Sequence, residues 1–91
     1  MTKAELVQAI TVRAEGQLTR KATETLVDAV FDEIGLAVRK EERFTYPGFG
    51  TWTIRRRRAR NGRDPRTGQA MVVKASRSIG FRPAPELKEK L

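Results

Sequence analysis

Apolar residues recur at steps of three and four over the first forty positions. Leu6, Val7, Ile10 and Ala14 form one stripe of a helix that starts after Thr2, where Thr2 and Glu5 have the spacing of a capping box. Gly16 predicts a left-handed end to that helix. Thr19 predicts the next N-cap, and Thr23, Val27, Val30, Phe31, Ile34 and Val38 carry the helical spacing on to Arg39-Lys40, two cations suited to the negative end of the dipole. Leu26 and Leu36 widen this second apolar face beyond what one short helix can cover, which implies contact with another chain.

After position 42 the period falls to two. Arg43–Tyr46 alternates, Pro47-Gly48 punctuates, and Thr51–Ile54 alternates again with Trp52 and Ile54 on one face, the pattern of a hairpin. From Arg55 to Arg60 apolar residues nearly vanish, Asn61–Gly68 concentrates turn formers, and Met71–Ala75 resumes a strand. The prediction is a two-stranded arm over about 55–75 with its turn at the tip. Strands of about eight residues at ~3.3 Å each reach some 25 Å, comparable to the width of a DNA duplex. Phe81 returns the chain to the core, and Pro83 and Pro85 open a short helix with Leu87 and Leu91 on one face.

Charge sharpens this division. The 91 residues carry 19 Lys+Arg, 11 Asp+Glu and no His, a net +8. Positions 1–47 sum to −1 and positions 48–91 to +9, so attraction for a polyanion resides in the second half. Cys is absent, which removes disulfides, thiolate nucleophiles and Cys/His zinc sites, and without His the usual general base is gone. The paired acids Asp32-Glu33 and Glu41-Glu42 read as solvated charge, so the expectation is no enzyme, no cofactor and no metal. The start of the chain lacks the apolar run of a secretory signal, and no stretch has the ~20 apolar residues of a spanning helix, so neither export nor membrane binding is expected. With roughly 20 residues in an arm, about 70 remain for a core, a size at which one centre rarely supplies more than ~3–5 kcal/mol. A core shared between two chains through Val27, Phe31, Ile34, Phe49, Trp52 and Phe81 answers this.

Gly48-Phe49-Gly50-Thr51-Trp52, then Asn61-Gly62-Arg63-Asp64-Pro65-Arg66-Thr67-Gly68, then Gly80-Phe81-Arg82-Pro83, resembles the bacterial HU/IHF family of histone-like DNA-binding proteins, HU above all, along nearly the whole chain. The resemblance implies an α+β fold and an intertwined dimer. Each chain would have two N-terminal helices, a three-stranded antiparallel sheet with a long protruding β-ribbon arm, and a short C-terminal helix. Residues 1–91 would be one domain, with a helical dimerisation base over 1–40, a β-saddle over 41–82 and the C-terminal helix over 83–91. Pro65 matches the arm-tip proline that wedges between base pairs, and a rigid apolar ring on an exposed basic loop has the chemistry to unstack a base step. Arg55, Arg56, Arg57, Arg58, Arg60, Arg63, Arg66, Lys74 and Arg77 match arm and saddle positions that contact DNA, and Lys3 and Lys88 match positions that reach flanking phosphates. Alternation puts Arg56, Arg58 and Arg60 on one face of a strand and Arg55 and Arg57 on the other. Asp64 stands where the family often has Asn.

The implied function is that of a largely sequence-independent architectural protein that bends and compacts double-stranded DNA from the minor groove. Bent, nicked or gapped forms would be favoured because the kink is already made. The implied setting is the bacterial cytoplasm, on the nucleoid, as a homodimer or a heterodimer with a paralogue. The alternatives are a site-preferring bender of the IHF type and a basic RNA-binding protein of ribosomal type, with RNA a secondary partner.

Overall fold

A computed structural model describes all 91 residues. Helix α1 spans Lys3–Arg13 and α2 spans Arg20–Glu41; strands β1 Arg43–Tyr46, β2 Gly50–Arg57, β3 Arg60–Arg63, β4 Ala70–Val73 and β5 Ser76–Pro83 follow, and α3, Pro85–Glu89, ends the chain. Two compact units result, Met1–Leu36 and Ala37–Leu91.

Both long helices begin on threonine. Thr2 Oγ1 accepts from the Glu5 amide at 3.2 Å, and Thr19 Oγ1 accepts from the Ala22 amide at 3.1 Å, each satisfying a donor that a helix start leaves unpaired. Helix α1 stops at Arg13, and the left-handed turn-over starts one residue before the expected Gly16, at Glu15 (φ 51°). In this first unit Val7, Thr23 and Val27 are buried, and the Thr23 hydroxyl donates to the Thr19 carbonyl at 2.9 Å, so its burial leaves no unpaired donor. Around them Leu6, Ile10, Leu18, Leu26, Val30 and Phe31 line an open apolar depression of about 320 Å³. Phe31 is 57% exposed and Val30 55%, so α2 presents a large apolar surface to solvent.

In the second unit the strands β1, β2 and β5 form an antiparallel sheet in the order β1-β2-β5. The β1–β2 turn has Pro47 second and Gly48 third at φ 79°, with the Phe49 amide donating to the Tyr46 carbonyl at 3.1 Å. That is the type II arrangement, in which the third position needs a residue free to take positive φ. Phe44, Phe49, Trp52 and Phe81 then gather on one side, with the Trp52 and Phe81 rings 4.8 Å apart and Phe49 stacked on Trp52 at 5.9 Å. The Ala84 amide donates to the Phe49 carbonyl at 2.8 Å and anchors the start of α3, where Pro85 takes the first helical position.

Three expectations are corrected. The predicted tip turn over Asn61–Gly68 is narrower, because Asn61, Gly62 and Arg63 belong to β3. Asn-Gly is a local hairpin signal, but Gly62 pairs with Met71 across the ribbon, and a methyl at Gly62 would lie 3.3 Å from Val73 Cγ2. The cross-strand fit decides, and the reversal moves to Asp64–Gly68. The returning strand ends at Val73, so Lys74 and Ala75 lie outside it. Leu91 is fully exposed beyond the end of α3 and shares no helical face with Leu87.

Candidate nucleic-acid interface

Strand alternation sorts the second unit into two chemically different surfaces. The pairs Trp52↔Phe81 and Ile54↔Ile79 lie on one face with Phe44, and the rows between them lie on the other. That other face carries Arg43, Arg55, Arg57 and Arg82 over a floor of Thr45, Thr51, Thr53, Ser76, Ser78 and Gly80. Long cations above short hydroxyl side chains make a smooth basic surface that contains no acid. Gly80 is part of the design, since a Cβ there would land on the Arg55 guanidinium, which lies across it. Arg55, Arg82 and Lys88 also border a common groove with Phe81, Pro83, Pro85 and Glu89, so α3 adds one cation, Lys88, beside the carboxylate of Glu89 at the end of the sheet.

Arg56 and Arg77 pair across the strands and therefore share the opposite, apolar face. There Arg56 pairs with the Glu42 carboxylate, while Arg77 borders a pocket with Arg39, Ile54 and Ile79. The residues expected at the interface are thus divided between two faces, with Arg55 and Arg57 on the polar one and Arg56 and Arg77 on the other.

The ribbon continues past the sheet with one interruption. Pairing runs to Arg57↔Ser76, lapses over Arg58-Ala59 and Lys74-Ala75, and resumes from Arg60↔Val73 to Arg63↔Ala70. Arg56, Arg57, Arg58 and Arg77 line a cleft at this gap with Ala75 and Ser76. Arg60 and Arg63 are exposed on β3.

Asp64 organises the tip. Its Oδ1 accepts from the Arg66 amide at 2.8 Å, its carbonyl accepts from the Gly68 amide at 2.7 Å, and its own amide donates to the Gln69 carbonyl at 2.9 Å. The Arg66 guanidinium lies 3.8 Å from the same carboxylate, and Arg63 donates to the Gly68 carbonyl at 3.2 Å. The negative charge of Asp64 is engaged within the loop, and Pro65 is exposed at the apex between it and Arg66.

Lys3 belongs to the first unit, where its ammonium lies 2.8 Å from Asp28 and 3.7 Å from Glu24. The hydrogen bond to Asp28, then the charge of that carboxylate, hold the Lys3 pKa above its ordinary 10.5. Arg82 and Arg43 were not among the expected interface residues. Alternation from Phe81, which faces the aromatic cluster, would have found Arg82, and Arg43 precedes Phe44 in the same way. No three His, Cys, Asp or Glu side chains converge as a metal site would need, and no helix is long and apolar enough to cross a membrane.

The family model described as bacterial DNA-binding protein matches residues 1–91. DNA-binding protein HU of Geobacillus stearothermophilus is 42% identical over 89 residues, which cover 98% of this chain and 97% of that protein. Integration host factor subunit alpha of Chromohalobacter salexigens is 34% identical over 91 residues, covering 100% of this chain and 87% of that one. Among solved structures, a cocrystal of Anabaena HU with DNA superimposes with a TM-score of 0.83 at 34% identity, over 99% of this chain and 96% of that chain. A family match along every residue, with a solved relative of the same fold over nearly the whole chain, shows that this chain belongs to the bacterial DNA-binding protein family of HU and integration host factor.

Proposed function

We propose that the protein is an HU-type architectural DNA-binding protein that holds double-stranded DNA on its basic sheet face and reaches into the minor groove with its arms. The observation that carries this reading is the sidedness of the sheet, with Arg43, Arg55, Arg57 and Arg82 over Ser, Thr and Gly on one face and the aromatic cluster on the other. A surface of this kind meets phosphates without reading base edges, so affinity comes from charge neutralisation and selectivity from how readily the duplex deforms. Arg60, Arg63, Lys74 and Arg66 line the arm toward the tip, and Pro65 is the wedge that unstacks a base step and kinks the duplex by about 20–90°. The working unit is a dimer on the bacterial chromosome. Exposed Leu26, Val30 and Phe31 on α2, with Phe49 in the β1–β2 turn and Phe81 on β5, support it, because so much apolar surface on a small chain calls for a partner.

Fluorescence anisotropy against intact duplex DNA, gapped duplex DNA and duplex RNA of equal length, each at two salt concentrations, tests the reading. Tighter binding to the gapped duplex is expected, with a salt slope of about −0.9 per phosphate neutralised. Equal affinity for all three would mean that the arms act as generic cations and would refute deformation-based selection. Light scattering at micromolar concentration is expected to give twice the chain mass, and a monomeric mass would sink the shared core.

A further inference from the structure

Arg56 stands apart from the arginines on either side of it. The register that turns Arg55 and Arg57 to the polar face turns Arg56 away from it, directly opposite Arg77. Two guanidiniums opposed on one face of a ladder repel each other, and β5 contains no acid to relieve them. Relief comes from Glu42, whose carboxylate pairs with Arg56.

Glu42 is held in an unusual way at the corner between α2 and β1. Its φ is 65°, in the left-handed region that a residue with a Cβ enters at a cost, and its carbonyl accepts from the Ile54 amide at 3.1 Å. Pairing between β1 and β2 ends at Arg43↔Thr53, so beyond Thr53 the ribbon has lost its third strand. Glu42 then holds β2 twice more along that freed edge, by main chain at Ile54 and by side chain at Arg56. Both side chains of the pair are about half exposed, at 57% for Arg56 and 48% for Glu42, so water screens the attraction and the pair adds little to folding. Its leverage is geometric, because it acts where the arm departs from the sheet.

Resting on the assignment of the polar face to phosphates, we propose that Arg56 is a positioning residue. Its ion pair with Glu42 fixes the direction in which the arm leaves the sheet, and Arg56 adds no phosphate contact of its own. Four variants test this: Arg56→Gln, Glu42→Gln, Arg57→Gln, and the exchanged pair Glu42→Lys with Arg56→Glu. Three readings are taken, namely hydrogen exchange of the Ile54 amide without DNA, the salt slope for a gapped duplex, and duplex bending by end-to-end energy transfer.

Arg56→Gln and Glu42→Gln are each expected to speed exchange at Ile54 several-fold and to reduce bending. Arg56→Gln should change the salt slope by less than half as much as Arg57→Gln, which is expected to lower it by about 0.9. The exchanged pair should restore both exchange and bending, which a purely local folding effect would not do. If Arg56→Gln lowers the slope as much as Arg57→Gln, or Glu42→Gln tightens binding and steepens the slope, Arg56 is a phosphate contact masked by Glu42 and the proposal falls. A wild-type protein with no steep salt dependence would instead refute the phosphate-binding face. The exchange reading would still decide for or against the strut, since unchanged protection in Arg56→Gln would overturn it.

Discussion

Gly50 and Gly80 face each other's strands in the same sheet, yet an added methyl is expected to act in opposite ways at the two positions. At Gly50, which is buried, a Cβ would lie 2.5 and 2.6 Å from the Phe81 ring carbons Cζ and Cε1 and 2.7 Å from the Arg82 carbonyl oxygen. Carbon atoms pack best at about 3.5–4.0 Å, so the shortfall is roughly 1 Å. The ring can tilt, but the carbonyl belongs to β5, which is paired with Gly50 through Pro83 and cannot withdraw without opening the ladder. Overpacking of this kind costs about 1–3 kcal/mol, and the backbone clash puts Gly50→Ala at the upper end. For a domain of this size each kcal/mol moves Tm by about 4–8 °C, so a drop of roughly 12–24 °C is expected. At Gly80 the clash is with the end of the exposed Arg55 side chain, which swings aside, so Gly80→Ala should stay within about 0.5 kcal/mol of wild type. Displacing Arg55 should nonetheless flatten the salt slope of DNA binding by up to about 0.9. Thermal melts by circular dichroism at matched protein concentration, with anisotropy titrations of the same samples, check both halves. Gly80→Ala melting as early as Gly50→Ala, or Gly50→Ala melting with wild type, would refute the reasoning.

Four further outcomes are expected. Pro65→Ala should leave the melting temperature unchanged and reduce duplex bending by energy transfer; unchanged bending would remove the wedge. Asp64→Asn, which keeps the acceptor for the Arg66 amide, should retain the tip conformation, whereas Asp64→Ala should broaden the amide resonances of Pro65-flanking residues in an NMR spectrum. Thr19→Ala should cost about 1 kcal/mol by denaturant melt, because the Ala22 amide loses its acceptor. Since the Lys3 pKa is raised in the fold, its stabilising contribution is fully present below pH 10.5 and is lost as pH rises through the higher folded value. Wild type should therefore lose more stability than Lys3→Gln when denaturant melts are compared across that window.

The helices were legible because their signals are local: Thr2 and Thr19 are caps by virtue of the three residues after them. The two faces of the sheet were equally legible, since strand alternation needs only the order Trp52-Thr53-Ile54-Arg55. At the tip the local turn preference of Asn61-Gly62 loses to a cross-strand fit with Val73 that no short window contains. Glu42 as the partner of Arg56 was beyond reach for a related reason. The contact depends on a left-handed corner at a glutamate, a conformation that composition argues against. The face of Arg82 is legible in the same way, since its position after Phe81 dictates it.

The lapse in the ribbon leaves the same number of residues on each strand, Arg58-Ala59 facing Lys74-Ala75, so pairing resumes with the alternation still in phase. The reach of the arm is therefore quantised. Removing one residue from each strand at the gap would turn the whole tip over and present Arg63 and Pro65 from the wrong side, although every residue beyond the gap would be unchanged. Removing two from each strand would shorten the arm by about 6.6 Å and leave its tip residues on their present faces. The parity of the gap, more than its sequence, therefore decides which face of the ribbon carries the tip residues.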